Sequence, residues 1–106
     1  MIFRIHIFVF LFCFTILVLS AAAEEVRIAV ATNFSVTLKE VVRKFSQDTG
    51  HTAVIISGST GKLYAQIKHG APFDVFFSAD VKRPHLLEKE GLAIQGSRFA
   101  LSLIHI

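Results

Sequence analysis

The sequence predicts an α/β domain in which a parallel-type sheet is flanked by helices. Short apolar runs alternate with stretches whose apolar residues recur at helical spacing, which is the pattern of successive strand and helix units. The first run, residues 26–31, is apolar at most positions, as expected of a strand covered by helices on both faces. Glycines follow the helical stretches at Gly50, Gly70 and Gly91, where helices commonly end.

The elements are expected to alternate strand and helix along the chain, at residues 26–31, 35–50, 51–56, 62–69, 74–78 and 81–91. Ser35 is a candidate N-cap of the first helix, and Gly50 follows its end. Pro72 cannot continue a helix and therefore separates the second helix from the third strand. The 106-residue chain is long enough for one small domain.

Residues 1–23 are set apart from this domain. Arg4 gives a positive start, residues 5–19 are almost unbroken apolar sequence, and small residues precede two glutamates at Glu24. This pattern predicts a secretory signal peptide that is cleaved before Glu24. A membrane anchor is the alternative, but the apolar core is short of the roughly 20 residues that span a bilayer.

Composition excludes several classes of function. Cys13 is the only cysteine and lies inside the predicted signal peptide, so the mature chain has no thiol nucleophile and no cysteine metal site. The formal charge of +3 falls to +2 without Arg4, and the basic residues are spread along the chain. We therefore expect no nucleic-acid partner.

The segment SGSTG at residues 57–61 lies between the second strand and the second helix. The first N–H groups of that helix lack intrahelical partners, and the hydroxyls of Ser57, Ser59 and Thr60 stand beside them. The helix dipole adds about half a positive charge at the same place. The segment thus predicts an anion site, with a helix cap that holds no ligand as the alternative.

The same segment is not a nucleotide-binding P-loop. That motif needs glycine where Ile56 stands and a hydroxyl residue where Leu63 follows Lys62.

Three turns should meet at one edge of the sheet, because right-handed crossovers bring the carboxyl ends of parallel strands together. They are residues 32–35, 57–61 and 78–80. Ligands of open α/β sheets bind at this edge, so the turns that carry Asn33 and Thr60 could converge on one ligand.

No catalytic group accompanies these turns, so the sequence does not predict an enzyme. His51, His69 and His85 lie near the ends of elements, away from the three turns, and are expected on the surface. Asp74 begins the third strand and Asp80 follows its end, which is too far apart for a shared metal site. Asp80 is expected to cap the last helix.

Several short motifs in this order resemble the first lobe of periplasmic molybdate-binding proteins, the soluble receptors of ABC importers. They are ATNF at residues 31–34, SGSTG at 57–61, YAQI at 64–67, GAPFDVFFSAD at 70–80 and LEKEG at 87–91. The resemblance implies a two-lobed type II periplasmic binding protein that closes over molybdate or tungstate in the periplasm. It also implies delivery to a membrane permease, a monomeric state and no cofactor.

Carried over by motif, the family's oxyanion ligands fall on Thr32, Asn33, Ser59 and Thr60. No bare metal ion is implied, since molybdenum would enter only as molybdate, held through Asn33 and Thr60. The resemblance makes residues 24–100 a partial, truncated first lobe and residues 101–106 a tail outside the family pattern. A chain without a second lobe is expected to bind its anion weakly.

Three alternatives remain open at the level of sequence. A receptor for sulfate or phosphate is the nearest, because helix N-termini accept any such anion. A secreted α/β enzyme acting on a phosphorylated compound would need a base near Ser59 or Thr60. A membrane-tethered interaction domain would require that residues 1–23 are retained.

Overall fold

The computed structural model describes residues 24–101. The predicted signal peptide at residues 1–23 and residues 102–106 of the predicted tail lie outside the described residues. Within the described range, none of the helices combines the length and the hydropathy needed to cross a membrane.

Three strands and three helices alternate along residues 24–101. They are β1 (Glu25–Ala31), α1 (Ser35–Thr49), β2 (Thr52–Gly58), α2 (Thr60–Lys68), β3 (Val75–Phe77) and α3 (Lys82–Lys89), with a 3₁₀ turn at Thr32–Phe34 before α1. Gly50, Gly70 and Gly91 follow the three helices with φ of 75°, 91° and 76°. These glycines end the helices as predicted, because the left-handed conformation is open to glycine at little cost.

The described strands form one parallel sheet in the order β2-β1-β3. Ala31 pairs with Gly58 at the end of β2, and Val30 pairs with Phe77 at the end of β3. The chain therefore passes from β1 to one neighbour and then returns to the opposite side of β1. This arrangement confirms the predicted fold class and creates a switch point at the carboxyl edge of β1.

The two faces of β1 are covered by different helices. Ile28 and Val30 pack against Leu38 of α1 in one buried cluster. Ala29 and Ala31 point to the other face because side chains alternate along a strand. There α2 packs against β1 and meets α3. Each of these two helices buries one leucine, at Leu63 and Leu87.

Two predicted boundaries are wrong around residues 57–61. Strand β2 continues through Ser57 and Gly58, which pair with Val30 and Ala31, and α2 begins at Thr60 instead of Lys62. Only Ser59 lies between the strand and the helix. The polar composition of the segment predicts a longer turn. Pairing with β1 nevertheless extends the strand as far as Gly58.

Two smaller boundaries also differ. Ser35 is the first residue of α1 and not its N-cap, and its Oγ donates to the carbonyl of Thr32 at 2.9 Å. Strand β3 begins after Asp74, whose Oδ2 accepts the N–H of Arg27 at 2.8 Å where a strand carbonyl would otherwise do so.

Truncating Leu38 should destabilise the domain, because this side chain is only 2% exposed in the cluster against β1. We expect Leu38→Ala to lower the free energy of unfolding by about 2–5 kcal/mol, measured by denaturant titration. Val41→Ala on the same helix is the control, since Val41 is 54% exposed, and it should cost less than about 0.5 kcal/mol. Equal losses in the two variants would contradict this packing.

Candidate functional site

Two helical segments begin side by side at the carboxyl edge of the sheet. Ala31 and Gly58 are Cα partners at the ends of β1 and β2, and neighbouring strands lie about 4.8 Å apart. The chain becomes helical at Thr32 after β1 and at Thr60 after β2. Backbone N–H groups from two helix starts are therefore brought to one place.

The first of these starts follows β1. Ala31 is extended at φ −58° and ψ 138°, and the 3₁₀ turn Thr32–Phe34 leads directly into α1. The carbonyl of Thr32 accepts the N–H and the hydroxyl of Ser35, so this acceptor is used within the helix start. The N–H groups of Thr32 and Asn33 precede any helical acceptor, and both residues are exposed at the edge.

The second start follows β2 and is capped by Ser59. Ser59 Oγ accepts the N–H of Lys62 at 3.3 Å, and its carbonyl accepts the N–H of Leu63 at 3.0 Å. The N–H groups of Thr60 and Gly61 lie in the first turn, where helices offer no internal acceptor. Because Ser59 Oγ accepts from Lys62, the hydroxyl hydrogen of Ser59 remains able to donate elsewhere.

The turn between β3 and α3 reaches across to this second start. The N–H of Ala79 donates to Thr60 Oγ1 at 3.0 Å. Thr60 is half-buried, and its hydroxyl hydrogen can still donate to a third group. Residues 78–80 lie at the same edge as predicted, whereas the contact of Ala79 with Thr60 has no signal in the sequence.

Asp80 organises the β3–α3 turn. Its Oδ1 accepts the hydroxyl of Ser78 at 3.2 Å and the N–H of Arg83 at 3.0 Å, and its Oδ2 forms an ion pair with the Arg83 guanidinium. Asp80 thus accepts an N–H in the first turn of α3, but the N-cap position of this helix is Val81 and not Asp80 as predicted. Burial raises the pKa of the Asp80 carboxyl, but hydrogen bonds from Arg83 and Ser78 outweigh it and hold the pKa below its ordinary value.

Arg83 lies against the first turn of α2. A Cβ added at Gly61 would lie 3.3 Å from Nη2 of Arg83, which is closer than most side chains tolerate. Gly61 was predicted to lie in a turn but is part of the helix, where its lack of a side chain gives the guanidinium room. Sequence reasoning missed this role of Arg83, since nothing near it in the chain marks the contact.

The other candidate groups lie elsewhere. Ser57 is part of β2, and the side chain of Lys62 is exposed beyond the cap. His51 lies at the amino edge of the sheet, where its Nδ1 accepts the N–H of Glu24 at 3.2 Å. Asp74 is bound to Arg27 at the start of β3, on the far side from Asp80. Residues 24–101 contain no group of three potential metal ligands.

Comparison with known proteins identifies the class to which this architecture belongs. The family model described as bacterial extracellular solute-binding protein matches residues 26–106. The molybdate-binding protein ModA of Azotobacter vinelandii is 46% identical over 84 residues, which cover 79% of this chain and 33% of the relative. ModA of Rhodobacter capsulatus is 47% identical over 83 residues, with coverage of 78% and 33%.

Solved structures agree with these sequence matches. The periplasmic molybdate-binding protein of Azotobacter vinelandii superposes with a TM-score of 0.69 at 51% identity, over 70% of this chain and 32% of that protein. A substrate-binding domain of a putative molybdenum ABC transporter from Clostridium difficile gives a TM-score of 0.60 at 28% identity, over 63% and 30%. The chain spans about one third of the length of the relatives it matches. The resemblance predicted from the motifs is confirmed.

Acid should weaken the β3–α3 turn through Asp80. A carboxyl whose pKa is lower in the folded state stabilises the fold above its unfolded pKa, and this contribution is lost as the pH falls through the folded pKa. Asp80→Asn should therefore flatten the loss of thermal stability below about pH 4, the ordinary range of an aspartate. Thermal unfolding of both proteins between neutral and acidic pH tests this, and parallel curves would contradict it. Asp48→Asn is the control, because Asp48 is exposed on α1 and should leave the profile unchanged.

Proposed function

Because the chain belongs to the bacterial extracellular solute-binding protein family, we propose that it is the first lobe of a periplasmic receptor for molybdate or tungstate. The receptor would deliver the oxyanion to the membrane permease of an ABC importer. The observation that carries the proposal is the pair of helix starts at the ends of β1 and β2. Relatives named as molybdate-binding proteins support the choice of ligand.

The site would hold the anion with neutral donors. Thr32 and Asn33 offer backbone N–H groups and one side-chain amide, while Ser59 and Thr60 offer hydroxyl hydrogens beside the free N–H groups of α2. Both helix dipoles direct their positive ends toward this edge. Hydrogen bonds to a charged partner are each worth about 1.5–3 kcal/mol, so a few such donors suffice for binding.

The absence of a free acidic acceptor at the two helix starts favours an oxyanion without a proton. A protonated phosphate needs an acceptor for its O–H group, whereas fully deprotonated molybdate presents acceptors only. The neighbouring carboxylate is that of Asp80, and it is occupied by Ser78 and Arg83. This arrangement supports molybdate or tungstate over phosphate. Sulfate also carries no proton, so it differs from molybdate at this site in its smaller size.

The proposed receptor would act in the periplasm. Cleavage before Glu24 would release a monomeric receptor into the periplasm, consistent with a family described as extracellular and a structural relative described as periplasmic. Binding and release require no cofactor and no bond-making step. Thr60 Oγ1 contacts a backbone N–H and not a base, so the geometry supports a receptor over an enzyme.

Calorimetric titration of the full-length protein, meaning the proposed two-lobed receptor, with molybdate, tungstate, sulfate and phosphate tests the function directly. We expect molybdate and tungstate to bind at least tenfold more tightly than phosphate, because the donors lack an acceptor for a ligand proton. Preference for phosphate would contradict the proposal. Turnover of phosphoester substrates by the same preparation would instead support the enzyme alternative.

Removing single donors should weaken binding in proportion to the hydrogen bonds lost. We expect Asn33→Ala and Thr60→Ala each to reduce the free energy of molybdate binding by about 1.5–3 kcal/mol, since their partner is charged. Lys62→Ala is the matched control on the same turn of α2, and it should change binding little because its side chain is exposed. Unchanged affinity in both alanine variants would show that these residues only cap helices and do not bind the anion.

A further inference from the structure

We propose that the β3–α3 turn is a positioning element for Thr60, in which Asp80 and Arg83 hold the Ala79 N–H against the Thr60 hydroxyl. This inference rests on the proposed function, because it assigns the turn a role in orienting one of the ligand donors. Asp80 and Arg83 are positioning residues in this scheme, since neither needs to touch the anion.

The contact with Ala79 limits the direction in which the Thr60 hydroxyl can donate. A threonine hydroxyl carries one hydrogen to donate and two positions at which to accept. Ala79 N–H already occupies one acceptor position of Thr60 Oγ1 at 3.0 Å. The hydroxyl hydrogen must then point away from Ala79, which reduces its rotational freedom before any anion arrives. An oriented donor binds more tightly because less entropy is lost on binding.

Hydrogen bonds between its two neighbours hold Ala79 in place. The residues on both sides of it are tied together, since Ser78 Oγ donates to Asp80 Oδ1 at 3.2 Å and accepts the N–H of Asp80 at 3.1 Å. Asp80 Oδ1 also accepts the N–H of Arg83 in the first turn of α3. The turn is therefore closed on itself and anchored to a helix, so the Ala79 N–H has a defined direction.

The same turn approaches α2 a second time, through Arg83. The Arg83 guanidinium pairs with Asp80 and lies over Gly61, the residue that follows Thr60. A cation at a helix N-terminus is unfavourable by itself, and the Asp80 carboxylate compensates for it. The β3–α3 turn thus contacts consecutive residues of α2, through Ala79 at Thr60 and through Arg83 at Gly61.

The charges of Asp80 and Arg83 allow two effects on anion binding to be distinguished, the positioning of Thr60 and the direct electrostatic effect of the charges. Loss of the Asp80 carboxylate leaves the Arg83 charge uncompensated near the edge, so electrostatics alone predicts tighter binding of an anion. Loss of positioning predicts weaker binding. Asp80→Ala removes both the charge and the acceptors, whereas Asp80→Asn removes the charge but keeps an acceptor oxygen for Arg83 and Ser78.

The first experiment needs no ligand. Amide hydrogen exchange of Ala79 is followed by NMR in the full-length protein and in Thr60→Ser and Thr60→Val, with thermal unfolding to check that each variant is folded. We expect Ala79 to stay protected in Thr60→Ser, which keeps the hydroxyl, and to exchange at least tenfold faster in Thr60→Val. Equal protection in all three proteins would overturn the proposal.

The second experiment is a set of mutant cycles with molybdate as the probe, measured by calorimetry. Asp80→Ala should weaken binding about three- to tenfold in the unmodified protein and in Asn33→Ala, as expected for one oriented hydrogen bond. It should change binding less than twofold in Thr60→Val, where the oriented group is gone. Asp80→Asn should retain most of the affinity.

Two results of these cycles would overturn the proposal. An equal loss in Thr60→Val would show that Asp80 acts through another group, and tighter binding by Asp80→Ala would show an effect of charge alone. If the unmodified protein binds none of the four oxyanions, the proposed function is wrong and the role of the turn in binding falls with it. In that case the Ala79 exchange data still decide whether the turn fixes Thr60.

Discussion

The parallel pairing of β1 with both of its neighbours is the constraint on which the rest of the structure depends. Because Ala31 is in register with Gly58 and Val30 with Phe77, three strands end at one edge and their following turns meet there. Ala29 and Ala31 are buried with small side chains on the face that packs against α2, so the helix can approach the sheet closely. The buried Leu63 of α2 lies next to Gly58 at the end of β2, where an added Cβ would come within 3.5 Å of the leucine side chain, so the start of the helix lies close to the sheet edge.

Features with a strong local cause could be predicted from the sequence. The alternation of apolar runs and helical periods gave the parallel sheet with flanking helices, and the glycines at 50, 70 and 91 marked where helices end. The boundary at residues 57–61 could not be predicted, because Ser57 and Gly58 have low strand propensity and become strand only through pairing with Val30 and Ala31. Ser35 failed as a cap for a related reason, since the 3₁₀ turn before it already begins the helix.

Contacts between distant turns could not be predicted from the sequence, for a different reason. The SGSTG pattern predicted donors around Thr60, but the partner of its hydroxyl is a backbone N–H 19 residues away, which no side-chain motif reports. Gly61 has the composition of a turn residue, but it lies in α2 next to the Arg83 guanidinium. Polarity and spacing thus indicated where an anion site would form, whereas the orientation of its donors depends on contacts that only the folded chain displays. The assignment of Thr32, Asn33, Ser59 and Thr60 as oxyanion ligands stays a prediction.

The same contacts bear on how the proposed receptor would discriminate among anions. A free serine or threonine hydroxyl can accept as readily as it donates, and could therefore bind a protonated oxyanion as well as a deprotonated one. In this structure the Ser59 oxygen accepts from Lys62 N–H and the Thr60 oxygen accepts from Ala79 N–H. Each hydroxyl has already used one acceptor position, so both are biased toward donation. The neighbouring backbone groups of both helix starts can only donate. Each hydroxyl keeps one further acceptor position, but most polar groups at this edge can only donate, so the arrangement disfavours a protonated anion in the proposed site.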